Sequence, residues 1–78
     1  MVKGRNLNKS EIIASEIRAH RARSGETQRE VAEAIGVNES TLCSWENRGG
    51  IGLDDAWKLA NHYGVSLDEL AGRKAANN

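Results

Sequence analysis

QREVAEAIGVNESTLCSWEN, residues 28–47, is the stretch that decides the fold. Its apolar residues recur at helical spacing on both sides of Gly36, which predicts two short helices joined by a tight turn. Ala32 is small enough to let the two helices pack closely, and Gly36 permits the turn because it lacks a Cβ atom. The side chains that such a pair of helices must bury are Val31, Ile35, Val37, Leu42 and Trp45.

Further helical segments flank this stretch, and most have a recognisable start or stop. Thr27 and Ser66 are each followed three residues later by glutamate, which is the pattern of a capping box. Glycine follows four of the segments, where it adopts the left-handed conformation without steric cost. The first segment starts at either Asn8 or Ser10. The sequence predicts five helices, over residues 9–24, 28–35, 39–47, 53–63 and 67–71, with terminal glycines at Gly25, Gly36, Gly64 and Gly72.

The length of the chain leaves room for one small domain. A chain of 78 residues buries only about 60% of the surface that it exposes when unfolded. No alternating strand pattern interrupts the helical segments. We expect an all-α fold, a compact five-helix bundle over residues 9–72, with a flexible arm at 1–8 and a C-terminal tail at 73–78.

The charges balance overall but are unevenly placed. Eleven Lys and Arg residues oppose eleven Asp and Glu residues, so the formal net charge is zero. This balance argues against a strongly basic protein that binds nucleic acid without specificity. Residues 1–23 carry six basic and two acidic side chains, whereas residues 24–48 carry two basic and five acidic ones. The chain is therefore positive at its start and negative in its middle.

Several other classes of protein find no support in these residues. Cys43 stands alone, so no internal disulfide is possible, and no charged-then-apolar leader opens the sequence. His20, Cys43 and His62 are too scattered for a metal site, and both histidines are expected to be surface or packing residues. No nucleophile, paired carboxylate or phosphate-binding glycine loop suggests catalysis. We expect a cytoplasmic, non-enzymatic protein without membrane span, metal or cofactor.

The stretch at 28–47 resembles the helix-turn-helix of the Cro and phage-repressor family, often called XRE-type. Gln28 matches the glutamine with which helix 2 of that family commonly starts, and Trp45-Glu46-Asn47 matches its W-E-N ending of helix 3. Residues 59–70, LANHYGVSLDEL, match its L-A-x-x-x-G-V-S-x-x-x-L close. The resemblance covers roughly Ile13 to Leu70 and implies a lambda-repressor-like DNA-binding domain.

Two departures from the family concern its loops. Glu26 stands where the family usually has an apolar residue, and Gly50-Ile51-Gly52 replaces a loop that frequently contains proline. The geometry of these two loops stays open.

The resemblance assigns base reading to helix 3. On a helical wheel, Leu42 and Trp45 share the buried face of this helix, so the opposite face is polar and points outward. In the family this helix lies in the major groove, which implies base contacts from Glu39, Ser40 and Ser44. The other interpretation is an ordinary solvated face. The outward residues are Glu39, Ser40, Cys43, Ser44 and Asn47.

Phosphate contacts are expected around the same helices. Gln28 lies at the start of helix 2, where free N–H groups and the positive end of the helix dipole favour an anion. The resemblance adds Asn38, Thr41 and Asn47 as donors, although Asn38 is first of all the expected N-cap of helix 3. Arg48 completes this predicted DNA-binding set.

Five residues have roles that the sequence leaves open or assigns to structure. Lys3 and Arg5 belong either to an arm that wraps toward a DNA groove or to an ordinary charged tail. Arg21 and Glu46 match the family positions of an ion pair that holds helix 3. Cys43 is either a small residue facing the groove or a redox switch.

Together these observations predict a sequence-specific DNA-binding transcriptional regulator, a repressor of phage or prokaryotic type. Its expected partner is double-stranded DNA with an inverted-repeat operator, bound by a weak homodimer with contacts from helix 4 onward. The competing class is a protein-interaction module, such as an antitoxin-like or accessory factor, which Glu39 and the acidic middle favour. Retention of DNA in a gel shift discriminates between the two.

Overall fold

The computed structural model describes residues 7–73, and within this range the chain is an all-α bundle of five helices. Three of the predicted helices have the expected bounds, whereas α3 is one residue longer than predicted and α5 is one residue shorter. Residues 1–6 and 74–78, which include most of the predicted arm and tail, lie outside the described residues. The helices are α1 (Lys9–Ser24), α2 (Gln28–Ile35), α3 (Glu39–Arg48), α4 (Leu53–Tyr63) and α5 (Leu67–Leu70).

Side-chain caps fix the starts of three helices. At α1, Asn8 Oδ1 accepts the amide of Glu11 at 2.8 Å, and Glu11 Oε1 accepts the amide of Asn8 at 3.0 Å. The capping boxes predicted at Thr27 and Ser66 show the same reciprocal pattern. Asn8 rather than Ser10 therefore starts α1, because its side chain satisfies an amide that the helix leaves free.

The start of α3 differs from its predicted cap, and the end of α5 differs only in its last helical residue. Asn38 stands at the N-cap position of α3, but its side chain makes no capping hydrogen bond. Its carbonyl oxygen instead accepts the amides of Thr41 and Leu42, at 3.0 and 3.2 Å, so α3 starts through its main chain. Ala71 in the right-handed conformation stands at the C-cap position of α5, and Gly72 follows it with φ +79°. The amides of Gly72 and Arg73 donate to the carbonyl oxygens of Glu69 and Asp68 at 3.2 and 2.7 Å. α5 is a single turn of four residues, and the predicted glycine closes it one residue beyond the C-cap.

One hydrophobic core takes a fully buried side chain from every helix. Trp45 lies beside these five, with 6% of its surface exposed. Ile35 and Val37, which the sequence places inside, are half-buried at the edge of the core, because they lie at the end of α2 and in the turn. The five central side chains are Ile17, Val31, Leu42, Leu59 and Leu70. This packing seats α3 against both α1 and α2.

A close approach of two backbone segments joins the end of α3 to the start of α1. Gly49 is buried with φ +75° and ψ −137°, and a Cβ atom there would lie 2.5 Å from the carbonyl oxygen of Ser10. Only glycine fits this position. The sequence predicts a loop here without indicating the contact. No helix in the described part of the chain is long and apolar enough to cross a membrane.

Candidate nucleic-acid interface

α3 presents a polar face to the outside and an apolar face to the core. Leu42 is fully buried and Trp45 nearly so, while Thr41 and Cys43 are half-buried at the borders between the faces. The exposed side chains are Glu39, Ser40, Ser44, Asn47 and Arg48. The structure thus exposes five of the eleven residues predicted to contact DNA on α3.

The exposed charges of α3 stand at its two ends. Glu39 lies in the first turn and Arg48 in the last. Each charge opposes the partial charge that the helix dipole places at its end, so both stabilise the helix. Between them the outward surface is neutral and polar.

Asn47 turns its amide back onto its own helix. Its Nδ2 atom donates to the carbonyl oxygen of Cys43 at 2.8 Å and lies 3.3 Å from Cys43 Sγ. The two side chains share an open depression of about 400 Å³ with Ser40, Ser44 and Arg48. This contact fixes the orientation of Asn47 and leaves its amide oxygen as an acceptor toward the outside.

A buried carboxylate on the inner face of α3 ties this helix to its neighbours. Glu46 is 1% exposed, and Arg21 of α1 donates Nε to its Oε2 at 2.6 Å and Nη2 to its Oε1 at 3.0 Å. The hydrogen bond to Glu46 raises the pKa of Arg21 above its ordinary value. A paired arginine makes such a buried carboxylate tolerable, because each ion replaces the water that the other has lost.

Gln28 joins the same carboxylate from α2. Its Nε2 atom donates to Glu46 Oε1 at 3.1 Å, so one side-chain N–H is used inside the protein. Sequence reasoning assigned this amide to a phosphate and missed the internal bond. No local pattern reveals it, because the partner is 18 residues away. Arg21, Gln28 and Glu46 therefore lock α1, α2 and α3 together.

Arg18 adds a second tie between α1 and the end of α3. Its Nη1 atom donates to the backbone carbonyl oxygen of Glu46 at 2.7 Å. A cation at this place satisfies one of the carbonyl groups that a helix leaves free in its last turn. No sequence pattern around Arg18 indicates this role.

The loop before α2 is held by an acid–histidine pair. His62 Nε2 lies 2.9 and 3.0 Å from the two carboxylate oxygens of Glu26, and this hydrogen bond lowers the pKa of Glu26 below its ordinary value. The sequence predicts a surface or packing role for His62, and the structure adds a specific partner for it. The pair also explains how Glu26 can stand where the family usually has an apolar residue. Its carboxylate is held on α4 by the hydrogen bond with His62.

His20 also has partners that the sequence does not predict. Its ring stacks on Tyr63 with the ring centroids 5.9 Å apart, and its Nε2 atom lies 3.3 Å from the Glu69 carbonyl oxygen. The hydroxyl of Tyr63 is buried and has no hydrogen-bond partner among residues 7–73, and burial raises the pKa of this phenol. These contacts belong to the packing of α1, α4 and α5, away from the outward face of α3.

The sequence model of a protein family described as helix-turn-helix matches residues 17–70. The chain belongs to this helix-turn-helix family. The match includes α2, the turn and α3, and it confirms the XRE-type resemblance that the motifs indicate. A comparison with curated proteins gives no match.

Solved structures share the fold of this helix-turn-helix protein. The SOS-response transcriptional repressor LexA from Eubacterium rectale is 26% identical, with a TM-score of 0.78 over 100% of this chain and 81% of that one. The clp gene regulator ClgR from C. glutamicum is 28% identical, with a TM-score of 0.74 over 92% and 100% of the chains. A hypothetical transcription factor, NHTF from Neisseria, is 21% identical, with a TM-score of 0.77 over 91% and 86%. The predicted five-helix architecture is confirmed.

Proposed function

We propose that the protein is a sequence-specific DNA-binding transcriptional regulator, a repressor of phage or prokaryotic type. The observation that carries the proposal is the division of α3 into two faces. Its inner face is held by Leu42, Trp45 and the buried Glu46, while its outer face carries exposed polar side chains that the protein leaves available. A helix fixed in this way can enter a major groove without losing its orientation.

The outer face of α3 supplies the base contacts. Glu39 and Ser40 lie in the first turn of α3, Ser44 lies one turn after Ser40, and all three are exposed. A carboxylate accepts a hydrogen bond from cytosine N4, and serine hydroxyls donate to or accept from base edges. Cys43 is a small side chain at the border of the same face, where a larger group would push against the groove.

Phosphate contacts surround this base-reading surface. Asn38, Thr41 and Arg48 provide donors at the ends and border of α3. Asn47 donates to a phosphate once its amide turns away from Cys43. Gln28 donates one side-chain N–H to Glu46. Its second side-chain N–H and the backbone N–H groups at the start of α2 therefore make the phosphate contact. Gln28 then joins the DNA to the buried carboxylate that holds α3.

The DNA-binding unit is residues 9–72, with the arm at 1–8 and the tail at 73–78 outside it. A neutral protein needs its basic groups gathered near the phosphates to bind DNA. Arg48 is exposed at the end of α3, and Gly49 brings the start of α1 next to it. Lys3 and Arg5 precede that point in the chain, so the arm can reach the same strand.

Two copies bind an inverted-repeat operator. One recognition helix reads too few base pairs for specificity in a genome, and a dimer doubles the number read. The half-sites then lie about one helical turn apart, roughly 34 Å. A repressor role is supported by the structural similarity to LexA, which is a transcriptional repressor.

Selection of bound fragments from a random DNA library tests the proposal. We expect enriched sites with dyad symmetry, and gel-shift affinity for them that falls steeply with salt. A variant with Ser40→Ala and Ser44→Ala should lose enrichment, whereas Glu33→Ala on the exposed side of α2 should keep it. Failure to enrich any sequence, together with co-purification of a protein partner, would instead identify a protein-interaction module.

A further inference from the structure

α4 exposes two large apolar side chains to solvent. Leu53 is 72% exposed and Trp57 is 61% exposed, which makes them the most exposed large apolar residues among residues 7–73. They are four residues apart, so they lie one turn from each other on one stripe of the helix. The chain has two tryptophans and no phenylalanine, yet it places one of its few aromatic rings outside the core.

The exposed stripe borders an apolar groove between α1, α4 and α5. The groove has a volume of about 310 Å³, and its walls include Ile13, Ile51, Leu53, Ala56 and Leu70. A projecting Leu53 therefore stands directly beside a hollow that accepts aliphatic side chains. Such a surface, with a projection and a matching hollow side by side, is suited to self-association around a two-fold axis.

The charges of α4 are ordered along the same outer face. Asp54 and Asp55 lie in its first turn, and Lys58 follows one turn later. Lys58 Nζ is 3.8 Å from Asp55 Oδ1, which leaves the exposed Asp54 beside the apolar stripe. Negative charge thus precedes positive charge along the helix. Two such helices are complementary when they run antiparallel.

We infer that a second copy of this chain docks on this surface, with the two α4 helices antiparallel and a two-fold axis near Trp57. This arrangement brings the two Trp57 rings together and sets Asp54 opposite Lys58 of the partner subunit. The inference rests on the proposed function in one respect, because it names the contact of the homodimer that the operator requires. It differs from the sequence-based expectation, which included the whole of helix 4 onward, by placing the centre of the contact at Trp57.

Sedimentation of the full chain without DNA measures the contact directly. Trp57→Ser should weaken dimerisation about thirty-fold or more, as for an aromatic anchor at the centre of an interface. Leu7→Ser is a matched control, because Leu7 is 44% exposed but does not line the groove. An unchanged dimer in the Trp57 variant would overturn the inference, as would a wild-type chain that stays monomeric at millimolar concentration.

Tryptophan fluorescence gives a second readout on the wild-type protein. Trp45 is already buried, so its emission should not respond to concentration, whereas Trp57 leaves water when the dimer forms. We expect a blue shift on raising the concentration, and Trp57→Phe should abolish it. A shift that persists in Trp57→Phe would contradict the proposed location.

Charge exchange tests the antiparallel orientation. Asp54→Lys and Lys58→Asp should each weaken the dimer about tenfold, and the double variant should regain most of the loss, because the two charges then attract again. Circular dichroism melts show whether each monomer remains folded. A double variant weaker than both single ones would overturn the antiparallel arrangement.

DNA binding is measured separately so that the two proposals fail in different ways. On a single half-site, Trp57→Ser should bind like the wild type, since α3 is untouched, but it should lose cooperative binding to the full operator. If the protein dimerises through this surface but binds no DNA, the inferred dimer contact is correct and the proposed function is wrong.

Discussion

The two faces of α3 are built by different means. The inner face is held by long-range contacts, above all the buried Glu46 with Arg21 from α1 and Gln28 from α2. Among residues 7–73, the side chains of the outer face make their hydrogen bonds within α3 itself, between Asn47 and Cys43. The inner face therefore decides where the helix lies, and the outer face is left to decide what the helix touches.

This contrast separates stability from recognition along a helix of ten residues. A change on the inner face should alter folding and affect all DNA sequences alike. A change on the outer face should leave folding intact and alter the preference among sequences. Substitutions on each face can test that division.

Loss of the buried ion pair should have the largest effect. Glu46→Ala leaves Arg21 without its partner, and we expect the free energy of unfolding to fall by about 3–5 kcal/mol. Arg21→Ala should act similarly, and the double variant should lose less than the sum of the two. Urea denaturation measures all three, and binding to specific and nonspecific DNA should weaken in equal proportion.

Gln28→Ala is the matched variant for the same site. It removes one neutral donor but keeps both arginine bonds to Glu46, so the loss should be only about 0.5–1.5 kcal/mol. If the losses of unfolding free energy in the two single variants add up fully in the Arg21 and Glu46 double variant, the two residues are not coupled.

A methyl group at Gly49 should break the link between the end of α3 and the start of α1. The added Cβ meets the Ser10 carbonyl at 2.5 Å, and the backbone conformation is itself unfavourable for alanine. We expect Gly49→Ala to destabilise the protein by about 1–3 kcal/mol in thermal unfolding. Gly50→Ala is the control, because it shares the positive φ but has open space around it. Equal losses in both variants would mean that the close approach adds nothing.

Glu39→Gln should change recognition with little effect on folding. The substitution removes a negative charge at nearly constant shape, so nonspecific affinity should rise through weaker repulsion of phosphates. Discrimination at one base pair should fall by roughly 1–3 kcal/mol if the carboxylate accepts from cytosine. Affinities for selected and random DNA over a salt series separate the two effects. If neither affinity changes, Glu39 serves only the start of the helix.

The smallest effect should come from Glu26, which lies on neither face of α3. Its pKa is lowered by the hydrogen bond from His62, so its stabilising contribution is present above its ordinary pKa of 4.5 and is lost as the pH falls through the lowered value. Glu26→Gln should therefore make the melting temperature less dependent on pH between about pH 5 and pH 3. Glu33→Gln, at an exposed position of α2, should leave that dependence as it is.

Local patterns were enough to predict the helices and most of their caps. Thr27 and Ser66 define their helices through neighbours three residues away, and Gly36 ends α2 through its own conformational freedom. Such interactions are contained in a few consecutive residues. The wheel of α3 likewise separates buried from exposed positions, because its period depends only on helix geometry.

The contacts that position the site join residues far apart in the sequence. Gln28 looks like a free phosphate donor until the fold brings Glu46 within 3.1 Å of its amide. His62 has no partner in the sequence around it, since Glu26 lies 36 residues away. The close approach of Gly49 to Ser10 cannot be predicted from the sequence either. A glycine in a loop is as consistent with a flexible backbone as with a crowded one.

The sequence by itself determined that the chain forms five helices, that the second and third make a helix-turn-helix, and which side chains of α3 face outward. These properties follow from spacing and from the local satisfaction of backbone groups. Only the tertiary structure decided that Gln28 and Arg18 join the Arg21–Glu46 pair in holding α3, and only it left Trp57 outside the core. Both outcomes depend on which helices come together in space, and that is set by the packing of the whole core rather than by any one segment.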